Sequence, residues 1–287
     1  MKKIKNWSLI LFTIVLAGVL VGCGEEKDQA AKAEGQEGIR KVKVAYAQAG
    51  KPVSYTDENG KAAGYDVEIL KAVAEKLPQY EFEFIGTSDD DLLIGIEQGK
   101  YQLGVKNAFF TDERAKKFIY PKEFIGLSSI GFIVKKEHKD VQSLKDFAEA
   151  DFSLAPIAAN NAQYAVISEF NEANPNKPIN LKAGDTFKID VVQWVNENRV
   201  DGAVIIEASF NQQVINEDGP YHHLKDDVLY NEFDVIKTWP LFNKKEQQLA
   251  DDFDEALKQV KEEKTPNALS EAFYGRDLFE LLDEVKR

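Results

Sequence analysis

Lys41-Val42-Lys43-Val44-Ala45-Tyr46, then Asp66 to Leu77, then Tyr80-Glu81-Phe82-Glu83-Phe84-Ile85: the order of these three stretches decides the fold of this chain. The first and third alternate apolar and polar side chains with period two, as strands do when one face meets a core. Between them Val67, Leu70, Val73 and Leu77 recur at helical spacing, and Pro78, which cannot donate to the helical ladder, stops the run. Thr87-Ser88-Asp89-Asp90-Asp91 then opens a further helix over Leu92-Leu93-Ile94-Gly95-Ile96, its acids favoured by the positive end of the helix dipole. Strands alternating with helices predict a parallel sheet covered on both faces, in an α/β fold.

The same alternation restarts after Lys135. Phe152 to Ile157 reads as a buried strand, Ala162 to Asn171 and Ile189 to Asn196 as helices, and Gly202 to Ile206 as a second buried strand. Glu246 to Lys264 is strongly helical, with Leu249, Phe253, Leu257 and Val260 on one face, and Leu269 to Phe273 and Leu278 to Leu282 add shorter amphipathic turns. No repeat with a period of roughly 20 to 50 residues is visible. From Arg40 onward about 250 residues remain, more than one core comfortably holds. Two α/β lobes are therefore expected, with the C-terminal helical segment returning to the first.

The chain begins with a basic start, Lys2-Lys3-Ile4-Lys5, and an apolar run from Trp7 to Val21, the pattern of a secretory signal. About 15 apolar residues are too few for a membrane span, which needs roughly 20. Leu20-Val21-Gly22-Cys23 resembles the lipobox of bacterial lipoproteins. That resemblance implies a signal peptide over residues 1–22, and Cys23 carrying a diacylglycerol as the mature N-terminus on the outer face of the cell membrane. Residues 23–40 are polar and rich in Gly, Glu and Ala, without hydrophobic period, and read as a flexible tether. Cys23 is the only cysteine, so no internal disulfide is available.

The formal net charge is −13, and loss of Lys2, Lys3 and Lys5 with the signal takes it to −16. Nucleic-acid binding needs a basic face, so that class is excluded and the acid excess reads as solubility. Of the three histidines, His138 stands alone, and the adjacent His222-His223 pair cannot present an i, i+4 metal face; no metal and no cofactor are predicted. Neither a Gly-rich phosphate loop nor a Gly-x-Ser-x-Gly elbow occurs, and an enzyme is not predicted.

Five motifs occur in order: Gly60-Lys61-Ala62-Ala63-Gly64-Tyr65-Asp66-Val67-Glu68-Ile69-Leu70, Ile96 to Leu103, Thr111-Asp112-Glu113-Arg114-Ala115-Lys116-Lys117, Asn198-Arg199-Val200-Asp201-Gly202-Ala203, and Ala272-Phe273-Tyr274-Gly275-Arg276-Asp277. Together they closely resemble the polar-amino-acid branch of bacterial extracellular solute-binding proteins, over nearly the whole mature chain. The resemblance implies a two-lobed periplasmic-binding-protein (Venus-flytrap) fold with two hinge crossings, near Gly131 to Val134 and Asn231 to Lys237. Lobe 1 would be residues 41–132 plus 233–287, and lobe 2 residues 133–232. It also implies a monomeric carrier, without catalysis, that delivers an amino acid to the permease and ATPase subunits of an ABC importer.

Arg114 leads the candidate site. A guanidinium fork meets a planar carboxylate with two charge-assisted hydrogen bonds, and Thr111 reads as the N-cap that sets Arg114 at the third helical position. On the motif alone, a surface arginine offsetting Asp112 or Glu113 is an equal reading. By resemblance, Asn107 lends a carbonyl to the ligand ammonium and Phe109 an amide to its carboxylate. Phe109 or Phe110 can supply an aromatic platform or ordinary core. By the same resemblance Asn160, Asn161 and Ala162 would offer amides from lobe 2, though asparagines also suit a tight turn and a helix cap; Gln48, after the first strand, falls at a ligand-facing position, and Tyr55 would pack on the ligand side chain or roof the cleft.

Departures from the family fall on the ammonium. Relatives place an acid five positions after the aspartate that matches Asp201, where this chain has Ile206, followed by Glu207. An ammonium in a closed cleft needs an acceptor, so Glu207 through a one-residue shift, or Asp89, is expected to serve; Asp89 also reads as a helix cap. Asn107-Ala108-Phe109-Phe110-Thr111, the acidic run at Asp89 and Lys237-Thr238-Trp239-Pro240-Leu241-Phe242 look most like lipoproteins of cystine uptake, with a basic amino acid or glutamine as alternatives. A cleft-carboxylate dehydratase using Asp89 and Glu207, or a receptor-linked sensor, are the readings from other classes.

Overall fold

The structure, a computed structural model, describes residues 38–184 and 190–284. The signal peptide, Cys23 and most of the tether lie outside the described residues. In β1 (Arg40–Ala47), Val42, Val44, Ala45 and Tyr46 are all buried, so the strand is covered on both faces. A small sheet of β2 (Ala49–Gly50), β3 (Ser54–Thr56) and β4 (Ala62–Ala63) leads into α1 (Tyr65–Glu75). Gly64 joins them at φ 109°, where an added Cβ would lie 2.5 Å from the Val53 carbonyl; only glycine permits that approach. β5 (Tyr80–Thr87), α2 (Asp89–Glu97), β6 (Leu103–Ala108), α3 (Asp112–Lys117) and β7 (Phe118–Ile119) follow.

The next elements are β8 (Gly126–Lys135), α4 (Leu144–Glu149), α5 (Ala162–Ala173), α6 (Val191–Asn196), β9 (Gly202–Ile206) and α7 (Glu207–Phe210). A π-helical turn at Asn211–Ile215 leads on towards β10 (Val228–Asn243), which is followed by α8 (Gln247–Glu262), α9 (Thr265–Tyr274) and α10 (Leu281–Glu284). Ile189, the expected start of α6, lies outside the described residues.

The main sheet runs β5-β1-β6-β10-β8-β9, with β7 on β10. Only β5, β1 and β6 are parallel; β10 is antiparallel to β6 and β8, and β9 is antiparallel to β8. The wholly parallel sheet expected from the alternation is thus corrected to a mixed one. β8 carries the chain out and β10 brings it back, so the two must run in opposite directions. They pair from Lys135–Val228 to Gly126–Thr238, with a bulge between Glu232 and Asp234. Phe152 to Ile157 is also corrected: it makes only isolated bridges, Leu154 to Gly202 and Ile157 to Ala183. Pro156 between them has no amide proton to extend a ladder.

Buried side chains gather on either side of the two long strands. Val42, Val44, Val67, Leu70 and Val73 meet Leu249, Phe253, Leu257 and Val260 of α8 in a first core, so the helical stripe read from the sequence packs as expected. Second-core groups form around Ile133, Val192, Val195 and Phe210 and around Phe132, Phe147 and Ile167. Between the cores sits a small apolar cluster of Phe109, Ile130, Ala162 and Ile236, with Ile206 and Phe233 against it.

Candidate ligand-binding site

Thr111 caps α3, its hydroxyl accepting from the Arg114 amide at 3.2 Å. The Arg114 side chain then folds back on the chain before the cap. Its Nη1 donates to the Phe109 carbonyl at 3.2 Å, and the guanidinium carbon stands 5.6 Å from the centre of the Phe109 ring. The Tyr120 hydroxyl donates to the same carbonyl at 2.9 Å; burial pushes that phenol up to about 12, the guanidinium opposing. Among the described residues no carboxylate pairs with Arg114, so Asp112 and Glu113 do not neutralise it. Its guanidinium is held by a carbonyl and an aromatic ring, with most of its donors uncommitted.

Arg114 and Thr111 line a cavity of about 400 Å³ together with Asp90, Ile94 and Asn160. Asn160 comes from the turn before α5, so the cavity lies between the two sides of the molecule. Asn161 occupies the N-cap of α5 without a side-chain cap bond, and Ala162 is buried against Phe109. Phe109 therefore belongs to the apolar cluster between the cores. Phe110 is exposed and meets the Tyr120 ring edge-on at 5.1 Å.

Asn107, the penultimate residue of β6, has φ 56°, a left-handed conformation that asparagine tolerates better than most residues. Its amide donates to Asp66 Oδ2 at 3.0 Å, and its side-chain oxygen accepts from Ser128 Oγ at 2.7 Å. Asp66 is only 1 % exposed, and burial pushes its carboxyl up to about 7 against the pull of the Asn107 amide. Sequence reading placed Asp66 at the start of the helix running to Leu77 and assigned it no role; the apolar residues on either side of it, Tyr65 and Val67, were the available signal, and both are buried.

Asp89 opens α2, but the cap is Ser88, which accepts from the Asp91 amide at 3.2 Å. The Asp89 carboxylate instead pairs with Lys106 of β6 at 2.7 Å, a cation that sequence reading passed over. Glu207 stands apart from Arg114. It lines a different cavity, of about 680 Å³, with Lys51, Pro52, Asn211, Gln213 and Tyr274, and Arg276 donates to its carboxylate at 2.7 Å. Gln48 and Tyr55 line neither cavity: the Gln48 amide donates to the Thr87 carbonyl at 3.1 Å, and Lys51 Nζ lies 5.5 Å from the centre of the Tyr55 ring. Gln163, one residue into α5, is 7 % exposed with a side-chain oxygen lacking a partner among the described residues. Nothing in its local sequence distinguishes it from any other helical glutamine.

Across residues 42–276 the sequence matches the profile of the bacterial extracellular solute-binding proteins, family 3. The chain belongs to that family. Among its relatives is the L-cystine-binding protein TcyJ of Bacillus subtilis (strain 168), 27 % identical over 225 residues, which are 78 % of this chain and 80 % of TcyJ. A crystal structure described as the probable amino-acid ABC transporter extracellular-binding protein ytmK of Bacillus subtilis superposes with TM-score 0.66 and 22 % identity, covering 84 % of this chain and all of that one. An ancestral arginine-binding protein bound to arginine superposes with TM-score 0.56 at 20 % identity, over 83 % of this chain and 100 % of the other. Both likenesses are of fold: the two-lobed family-3 architecture, with β8 and β10 as its long crossing strands.

Proposed function

We propose that this family-3 protein is the receptor of an ABC importer for a polar amino acid, with cystine the favoured ligand. The observation that carries the reading is Arg114: an arginine without a carboxylate partner among the described residues, its guanidinium oriented by the Phe109 carbonyl and ring, beside a cavity that Asn160 lines from the other side. Such a fork is matched to an α-carboxylate. The Asn107 carbonyl, the Phe109 amide and the turn of Asn160, Asn161 and Ala162 complete the ligand set. Cystine is supported by the name of TcyJ.

In this reading residues 41–132 with 233–287 form one lobe and residues 133–232 the other. The ligand touches both and stabilises their closure about β8 and β10 by its greater affinity for the closed form. The protein acts outside the cell as a monomer anchored through a lipidated Cys23, and presents its closed form to permease and ATPase subunits. Binding is favoured over a carboxylate-driven dehydration because Glu207 and Asp89 do not face one cavity, and each is engaged by a cation.

Isothermal titration with L-cystine, arginine, glutamine and histidine tests this, after partial unfolding and dialysis to remove any carried ligand. Micromolar or tighter cystine binding is expected, and Arg114→Ala should weaken it at least about a hundredfold, the size of about 3 kcal/mol for a charged pair lost from a cleft. Heat with arginine alone would move the assignment to a basic amino acid, and silence with all four would end the amino-acid reading.

A further inference from the structure

Arg276 lies just beyond α9, on a segment fixed to the first core. Ser270 Oγ donates to the Arg276 carbonyl at 2.9 Å, Asn267 holds Asp277 at 2.8 Å, and Tyr274 packs on Tyr65 with ring centres 5.3 Å apart. The guanidinium leaves that core. Nη2 donates to Glu207 Oε2 at 2.7 Å, where β9 turns into α7, and Nη1 reaches Glu232 Oε1 of β10 at 3.2 Å. Glu232 also accepts from Arg276 Nη2 and from Ser129 of β8, whose hydroxyl meets that of Tyr230 at 2.9 Å. Phe210, at the far end of α7, sits in the second core and stacks on Tyr230 at 5.5 Å. One side chain thus ties the first core, both crossing strands and the second core. Among the described residues no other ion pair runs from the first core to the second.

We propose that Arg276 is an affinity-setting strap: it holds the two cores in the arrangement seen here and raises the affinity of the cleft for a ligand it does not touch. Glu232 belongs to the crossing strands and Glu207 to the second core. A hinge rotation therefore keeps the first contact and breaks the second. The apparent affinity of a ligand that needs both sides scales with the fraction of free protein holding them together, so a contact favouring that arrangement tightens binding from a distance. Exposures of 36 % for Arg276, 28 % for Glu207 and 22 % for Glu232 leave the strap partly screened by water and able to open. Glu207 then serves the hinge equilibrium and not the ligand ammonium. Only the affinity arm of the test rests on the amino-acid reading above.

The test compares Arg276→Gln, Glu207→Gln and the double variant by small-angle scattering without ligand and by titration with L-cystine. Each single change should raise the ligand-free radius of gyration and weaken cystine binding about three- to tenfold, and the double variant should do no more than either, because both remove the same Arg276–Glu207 contact, the one that a hinge rotation breaks. Glu207→Gln leaves the Arg276–Glu232 pair in place and guards against loss of the fold, while Arg276→Lys should restore part of the compaction. An unchanged radius in every variant overturns the strap. So does weakening by Glu207→Gln alone with Arg276→Gln silent, which would make Glu207 the ammonium receptor. Should the parent protein ignore cystine, the scattering still decides the strap and only the amino-acid reading fails.

Discussion

Asp66 is a carboxyl buried beneath the end of β6, where it supports Asn107 from inside the first core. Its folded value of about 7 lies above the ordinary 3.8, so between those values the folded protein holds a proton that the unfolded chain has lost. Stability must then fall as pH rises through that window and level off above it, by an amount on the order of 4 kcal/mol. Asp66→Asn keeps an acceptor for the Asn107 amide and removes the titration. Urea unfolding at pH 5 and pH 8 should show the parent losing more stability than the variant; equal losses would place the ionisation elsewhere. Arg114 and its cap were legible because Thr111, Asp112, Glu113 and Arg114 act within one turn. Asp66, Lys106 and Arg276 were not, because what each does is set by a partner that is distant in the chain.

At the level of elements, α3 is six residues long and depends on its cap. Thr111→Ala removes the acceptor of the Arg114 amide and should cost about 1 kcal/mol by thermal denaturation. It should also weaken ligand binding measurably, since the same turn carries the guanidinium; full affinity in a destabilised variant would separate the cap from the site. In β8, Gly131 faces β10 so closely that an added Cβ would lie 2.5 Å from the Asn231 carbonyl and 2.7 Å from the Tyr230 ring. Gly131→Ala should lower stability by about 1 to 3 kcal/mol, read as a drop of several degrees in Tm, because backbone on one of the crossing strands has to move. A variant that melts with the parent would mean that the strands part there at little cost. Helix α8 could be read from its stripe of Leu249, Phe253, Leu257 and Val260, as could α1, because each buries one periodic face. The strand expected over Phe152 to Ile157 failed, as its partners Gly202 and Ala183 touch it only at single points.

On the scale of the whole molecule, the two cores are joined by a strand pair that is itself part of the main sheet. The cluster of Phe109, Ile130, Ala162 and Ile236 lies where those strands pass between the cores, so that junction is apolar. Ile206, where the family resemblance led us to expect an acid, packs on that cluster. A hinge of two strands makes relative motion of the cores inexpensive, and contacts such as Arg276 with Glu207 then weigh on the equilibrium out of proportion to their exposure.

The sequence by itself determined the α/β class, the helical stripes, the Thr111 cap and the order of motifs that places the chain in family 3, since each element, cap and motif is written in neighbouring residues and their order is the order of the chain. Tertiary structure alone decided the mixed direction of the sheet, the burial of Asp66 under Asn107, the pairing of Asp89 with Lys106 and the capture of Glu207 by Arg276. Those depend on which segments meet across dozens or hundreds of residues, and neither periodicity nor local charge pattern encodes a meeting of that kind.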